Sequence, residues 1–133
     1  MEARRGQAAI DELLEQARSR YRRVTAAEAA EAAELGAVIV DIRSQEQRAR
    51  DGLVPGALLV QRNVLEWRAD PTCESRDEAI VARRGSLIVM CAQGYQSSLA
   101  AATLLDLGLE DATDMVGGFE GWIAAGLPVE RPS

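Results

Sequence analysis

Short, largely apolar runs recur along this chain: "AVIV" at 37–40, "ALLV" at 57–60, "SLIVM" at 86–90 and "ATDMV" at 112–116. Each is bounded by turn or polar residues and too short for a helix, so each predicts a buried strand. The stretches between them repeat with a helical period. Ile10, Leu13, Leu14, Ala17 and Tyr21 predict an amphipathic helix over residues 8 to 20. "RRV" at 22–24 predicts a short edge strand. Thr25 with Glu28 three residues on forms a capping box ahead of "AAEAAEAAE", a helix that should stop at Gly36. "SQEQRARDG" after Arg43 is a loop or one short helix, and "VPG" at 54–56 turns the chain. Asn63 is placed to cap a short helix carrying Leu65 and Trp67. Residues 69–79 carry the least regular pattern. "SSLAAATLLDLG" predicts a helix with Gly108 at its C-cap, and "FEGWIAAGLP" a short closing helix ending at Gly126 and Pro128.

Strand-like runs alternating with helical segments define an α/β fold: a mostly parallel central sheet flanked by helices. No internal repeat breaks the pattern, and the length of 133 residues fits one domain. In such sheets ligands bind beyond the C-terminal strand ends. Asp41 and Cys91 both fall there.

Composition mainly excludes. Hydrophobic content of 47% and charged content of 27% are those of an ordinary soluble domain. The net charge of -6 argues against nucleic acid as the principal partner. Arg18, Arg20, Arg22 and Arg23 cluster against that trend and are read as a solvated helix face rather than a binding patch. No run approaches the roughly 18 to 20 apolar residues of a membrane span, and the N-terminus has no apolar core of a secretory signal. Two cysteines, Cys73 and Cys91, make no disulfide framework, which points to a reducing, cytoplasmic setting. The chain has no histidine. Ser-His-Asp and Cys-His catalysis and imidazole-dependent metal sites are thereby excluded, and neither a metal nor an organic cofactor is expected.

Cys91 ends a core strand and opens the loop "CAQGYQSS" before a helix. Gly94 permits an unusual dihedral, while Ala92, Ser97 and Ser98 are small. If the loop curls around a point, its N–H groups face inward as an anion-binding nest, reinforced by the helix start near Gln96 or Ser97. A thiol there would be activated without a histidine and could carry sulfur as a persulfide. The other reading makes Cys91 the last core residue of its strand beside a glycine turn. The loop alone leaves both open.

Four blocks, three of them outside the loop, bear on the choice. They are "VDIRS" with Asp41 and Arg43, "GLVPGALLV" at 52–60, the Cys91 loop itself, and "GGFEGWIAAGLPV" at 117–129. In this order they resemble the single-domain rhodanese family, the thiosulfate sulfurtransferases, from about Arg23 to Val129. The resemblance implies a three-layer rhodanese-like domain over 23–133, behind an N-terminal helical extension over 1–22. It further implies Cys91 as nucleophile and persulfide carrier, with Ala92, Gln93, Gly94, Tyr95, Gln96 and Ser97 as the anion-binding loop. In many active relatives the positions of Ala92 and Gln96 are arginine; here the loop carries no formal charge. Leu53 replaces a usual histidine of structural importance. The related cell-cycle phosphatases have a longer loop ending in arginine, so phosphatase activity ranks low.

Supporting residues are Asp41, Arg43 and Arg62. Asp41 is expected to fix neighbouring loops through backbone N–H groups, and Arg43 to join an ion-paired network under the active loop. Arg62 either reaches the pocket mouth as a compensating cation or pairs with Glu66 one helical turn on. Gln93, Tyr95 and Gln96 would form the rim. Trp67 and Trp122 are expected in packing roles, and Cys73 either resolves a persulfide on Cys91 or is a bystander. The expected activity is transfer of sulfane sulfur from a donor such as thiosulfate to a thiol or cyanide. The rivals are a non-enzymatic persulfide carrier or redox-sensing partner, with a protein donor or acceptor, and a purely structural domain.

Overall fold

A computed structural model describes residues 8–132; the first residues of the expected N-terminal extension, 1–7, lie outside the described residues. Four parallel strands form one sheet in the order β2-β1-β3-β4: β1 (Val38–Asp41), β2 (Leu58–Leu59), β3 (Leu87–Met90) and β4 (Ala112–Asp114). The "RRV" segment contributes a single parallel bridge, Val24 to Met115, beyond β4. All four β3 residues are buried. Because side chains alternate across a strand, Leu87 and Val89 enter one apolar layer while Ile88 and Met90 enter the other. Burying each such aliphatic side chain contributes roughly 1.5–3 kcal/mol, which makes β3 the spine of the domain.

Helices α2 (Ala26–Glu34) and α7 (Gly118–Ala124) cover the Ile88 face, through Ala29, Phe119 and Trp122. On the Leu87 face lie α4 (Leu65–Ala69), α5 (Glu78–Val81) and α6 (Gln96–Asp106), through Leu65, Ile80 and Leu104. Helix α1 (Ala9–Arg18) packs on α6 with Leu14 and Ala17 buried. The result is the expected three-layer α/β fold. Helix α2 starts on the Thr25–Glu28 capping box, with both reciprocal bonds in place, and its chain turns at Gly36 with φ of 108°.

The polar segment after Arg43 is a helix, α3 (Gln45–Asp51), with a second capping box between Ser44 and Gln47. Asn63 caps nothing: it lies inside a 3-10 turn, Arg62–Val64, that leads straight into α4. Trp67 is not a packing residue but 56% exposed. The five-residue α4 buries Leu65 and Ala69, four apart, so the residue midway between them faces solvent. Part of the irregular 69–79 stretch is organised by side chains. Asp70 accepts bonds from the backbone and hydroxyl of Thr72, and Asp77 caps α5, whose Ile80 is buried.

Candidate functional site

Cys91 follows β3 directly, with Asp41 at the same end of neighbouring β1. The thiol is 6% exposed and lies in a cavity of about 180 Å³ that Arg43, Gln47, Gln93, Tyr95 and Gln96 also line. Its Sγ accepts the Gly94 N–H at 3.1 Å and the Ser97 N–H at 3.4 Å. The loop therefore does curl around the sulfur, and Ser97 adds an N–H from the first turn of α6.

The loop carbonyls are drawn away from this centre. Phe119 and Glu120, in the first turn of α7, donate to the carbonyls of Cys91 and Ala92 at 2.8 and 3.0 Å. The Gly94 carbonyl accepts from Arg18 Nη2 at 2.7 Å and Arg23 Nη2 at 2.9 Å. Since C=O and N–H of a trans peptide point in opposite directions, carbonyls bound outside leave amides free within. The N–H groups of Ala92, Gln93 and Tyr95 donate to no other described residue. Free amides around a small cavity can together hold an anion. Two glycines permit it. At Gly94, φ is +87° and a Cβ would lie 2.8 Å from the Gly117 nitrogen. At Gly118 a Cβ would lie 2.3 Å from the Cys91 carbonyl oxygen.

Below the loop sits Asp114, fully buried at the end of β4. It accepts bonds from Ser97 Oγ (2.7 Å), Ser98 Oγ (2.9 Å), Tyr21 Oη (2.9 Å) and Arg23 Nε (2.9 Å). Arg18 Nε reaches Ser98 Oγ at 2.8 Å, and its guanidinium lies 5.8 Å from the Tyr95 ring centre. Burial works against the Arg23 charge, but the bonds to Asp114 and the charge of that carboxylate hold it above the ordinary arginine range. Burial, with Asp114 beside it, pushes the Tyr21 phenol well above its usual range.

On the opposite wall, Arg43 Nε and Nη2 clasp Asp41 at 3.0 and 2.7 Å, and Nη2 also donates to the Gly52 carbonyl. Asp41 additionally accepts the Arg43 backbone N–H. The guanidinium stacks 3.8 Å from the Phe119 ring centre, with its Nη1 bonded to no described residue.

Of the site residues expected from sequence, the structure brings together Cys91, its loop and Arg43, with Asp41 behind Arg43. Arg62 is not with them: it makes a two-oxygen pair with Glu66 at 2.8 and 2.9 Å and does not line the Cys91 cavity. Cys73 is a free thiol in the turn after Asp70, also outside that lining. The arginine cluster is not the one solvated face expected from sequence. Arg20 and Arg22 do form exposed pairs, with Asp106 and Glu28, whereas Arg18 and Arg23 turn inward beneath the loop. Asp114 and Gln47 also belong to the site without having been expected there, and Tyr21, expected on the first helix, lies beyond it and bonds Asp114. A lone carboxylate inside the strand-like run "ATDMV" was the available signal for Asp114.

The rhodanese-like domain family matches residues 25–125, and the chain belongs to that family. The thiosulfate sulfurtransferase GlpE of Haemophilus influenzae is 28% identical over 110 residues, 83% of this chain and 95% of the relative. Among solved structures, a Rhodopseudomonas palustris protein of unknown function, a possible tyrosine phosphatase, is 32% identical. It has a TM-score of 0.83 and covers 98% of this chain and 99% of its own. A rhodanese-related protein of Thermoplasma volcanium is 27% identical with a TM-score of 0.64, covering 82% of this chain and 97% of its own.

Proposed function

We propose that the protein is a sulfurtransferase that moves sulfane sulfur from an anionic donor such as thiosulfate to a thiol or cyanide, through a persulfide on Cys91. The observation that carries this reading is the Cys91 Sγ held by the Gly94 and Ser97 amides inside a small cup with further free N–H groups. The likeness to a thiosulfate sulfurtransferase over most of both chains supports it.

In the first step the Cys91 thiolate attacks the outer sulfur of thiosulfate. A Cys91 S–S bond forms, the donor's S–S bond breaks, and sulfite leaves with the electron pair. The terminal persulfide sulfur then carries the negative charge, which the loop amides stabilise as an oxyanion hole would. In the second step a thiolate or cyanide attacks that outer sulfur, the Cys91 S–S bond breaks, and the Cys91 thiolate returns. The electrons balance without cofactor or metal. Asp41 and Arg43 act as support, fixing the wall opposite the loop, and Arg62 has no part in the cycle.

A second reading, a persulfide carrier loaded by a protein donor, is favoured by the uncharged loop. Intact-protein mass after brief thiosulfate treatment separates the two. The expected result is gain of one sulfur atom, reversed by a thiol and absent in Cys91→Ser, followed by thiocyanate release on adding cyanide. No gain in reduced, folded protein transfers the case to the carrier. The similar Rhodopseudomonas palustris protein, described as a possible tyrosine phosphatase, suggests one further control. Cys91-dependent hydrolysis of p-nitrophenyl phosphate without sulfur loading would overturn both readings, but Ala92 to Gln96 include no arginine to clamp a phosphate.

A further inference from the structure

We infer that Arg18 and Arg23, from the segment preceding the family domain, supply from beneath the Cys91 loop the positive charge that Ala92 and Gln96 do not, and so select anionic reagents at Cys91. They are positioning and charge-selecting residues rather than catalytic ones. The inference rests on the sulfurtransferase reading for its biological meaning, though not for its test.

Two guanidinium groups converge on one carbonyl, that of Gly94, at 2.7 and 2.9 Å. That peptide unit ends in the Tyr95 N–H, which points the opposite way and donates to no described residue. Charge-assisted bonds to the carbonyl polarise the unit and make this N–H a stronger donor. The charge balance adds to the effect. Arg23 is ion-paired with Asp114, whereas Arg18 bonds to neutral groups: Ser98 Oγ, the Gly94 carbonyl and the Tyr95 ring. Two cations thus face one buried carboxylate, leaving a net positive charge directly under the loop. The Arg18 contact with the Tyr95 ring also ties the exposed rim of the cup to α1. A loop of neutral residues gains a cationic field from a different part of the chain, and the field acts through partly buried groups that salt screens poorly.

The test uses the full chain and two alkylating reagents of similar shape, anionic iodoacetate and neutral iodoacetamide. The rate of Cys91 modification is followed by mass spectrometry in a Cys73→Ser background. The quantity read is the ratio of the two rates. Arg18→Gln should lower the iodoacetate-to-iodoacetamide ratio by about three-fold or more, while Arg18→Lys should keep most of it. Arg23→Gln should act in the same direction. It also strips a partner from buried Asp114, so the Arg18 variants carry the test if it folds poorly. A merely structural role would slow both reagents together. An unchanged ratio in Arg18→Gln, whatever the absolute rates, would overturn the inference. The ratio needs no sulfur donor, so failure of thiosulfate loading would leave this result standing.

Discussion

Gly118 shows how much of the site depends on an absent atom. Its φ is +57°, and a Cβ would approach the Cys91 carbonyl oxygen to 2.3 Å and the Ala92 carbonyl carbon to 2.8 Å. Gly118→Ala should therefore cost about 3 kcal/mol or more in urea unfolding and disturb Cys91 reactivity, since strain and overlap fall on the loop itself. Gly108→Ala is the matched comparison. Its φ is +90° but nothing lies within 4 Å of the added carbon, so about 1–2 kcal/mol is expected from the backbone alone. The Asp41–Arg43 pair allows a similar dissection. With both side chains almost wholly buried, Asp41→Ala should destabilise by roughly 3–5 kcal/mol by leaving a guanidinium unpaired. The double variant Asp41→Ala/Arg43→Met should unfold at higher urea than Asp41→Ala alone. An equal or lower midpoint would show that Arg43 is held by Gly52 and Phe119 rather than by its ion pair.

At the scale of elements, local chemistry places functional side chains. The Ser44 hydroxyl accepts the Gln47 N–H at 3.1 Å, and the Gln47 side chain returns a bond to the Ser44 backbone. This box starts α3 and sets a residue that lines the Cys91 cavity. Ser44→Ala should cost about 1 kcal/mol, read as a lower urea midpoint. The Ser44–Gln47 spacing is the same signal that made α2 legible from Thr25 and Glu28, yet α3 lacks the apolar stripe that draws attention to a helix. The strands were legible because they are nearly continuous apolar runs, the mark of a parallel sheet buried on both faces. Cys91 and its loop were legible from a glycine-bearing junction and from the family's blocks. Arg18, Arg23 and Asp114 were not. Two of these contacts span 76 and 91 positions of sequence (Gly94 with Arg18, Asp114 with Arg23), and the first depends on α1 docking against α6. No local pattern reports such a tertiary contact, and arginines spaced along a helix look alike whether they face water or a buried carboxylate. For Arg62 the second of its two readings holds, for a local reason: Glu66, four residues on, offered a partner before the pocket could.

For the whole molecule, Asp114 joins the segment between α1 and α2 to the Cys91 loop. Tyr21 and Arg23 reach it from one side, Ser97 and Ser98 from the other. The Tyr21 phenol is pushed up, chiefly by burial. Its bond thus stabilises the fold fully below about pH 10, the ordinary tyrosine value, and is lost as pH rises through the higher folded value. Tyr21→Phe should be less stable than the parent by about 1 kcal/mol at pH 8, and the gap should close in strongly alkaline buffer. A gap constant with pH would mean that Tyr21 acts only through packing. The shared carboxylate also has a consequence for descent. A substitution at position 21, 23, 97, 98 or 114 strands the donors or acceptors of the others, so these five positions are bound to drift together. A lineage that lost the segment carrying Tyr21 and Arg23 would be released to rewrite both serines, whereas one that keeps it inherits segment and loop as one heritable unit.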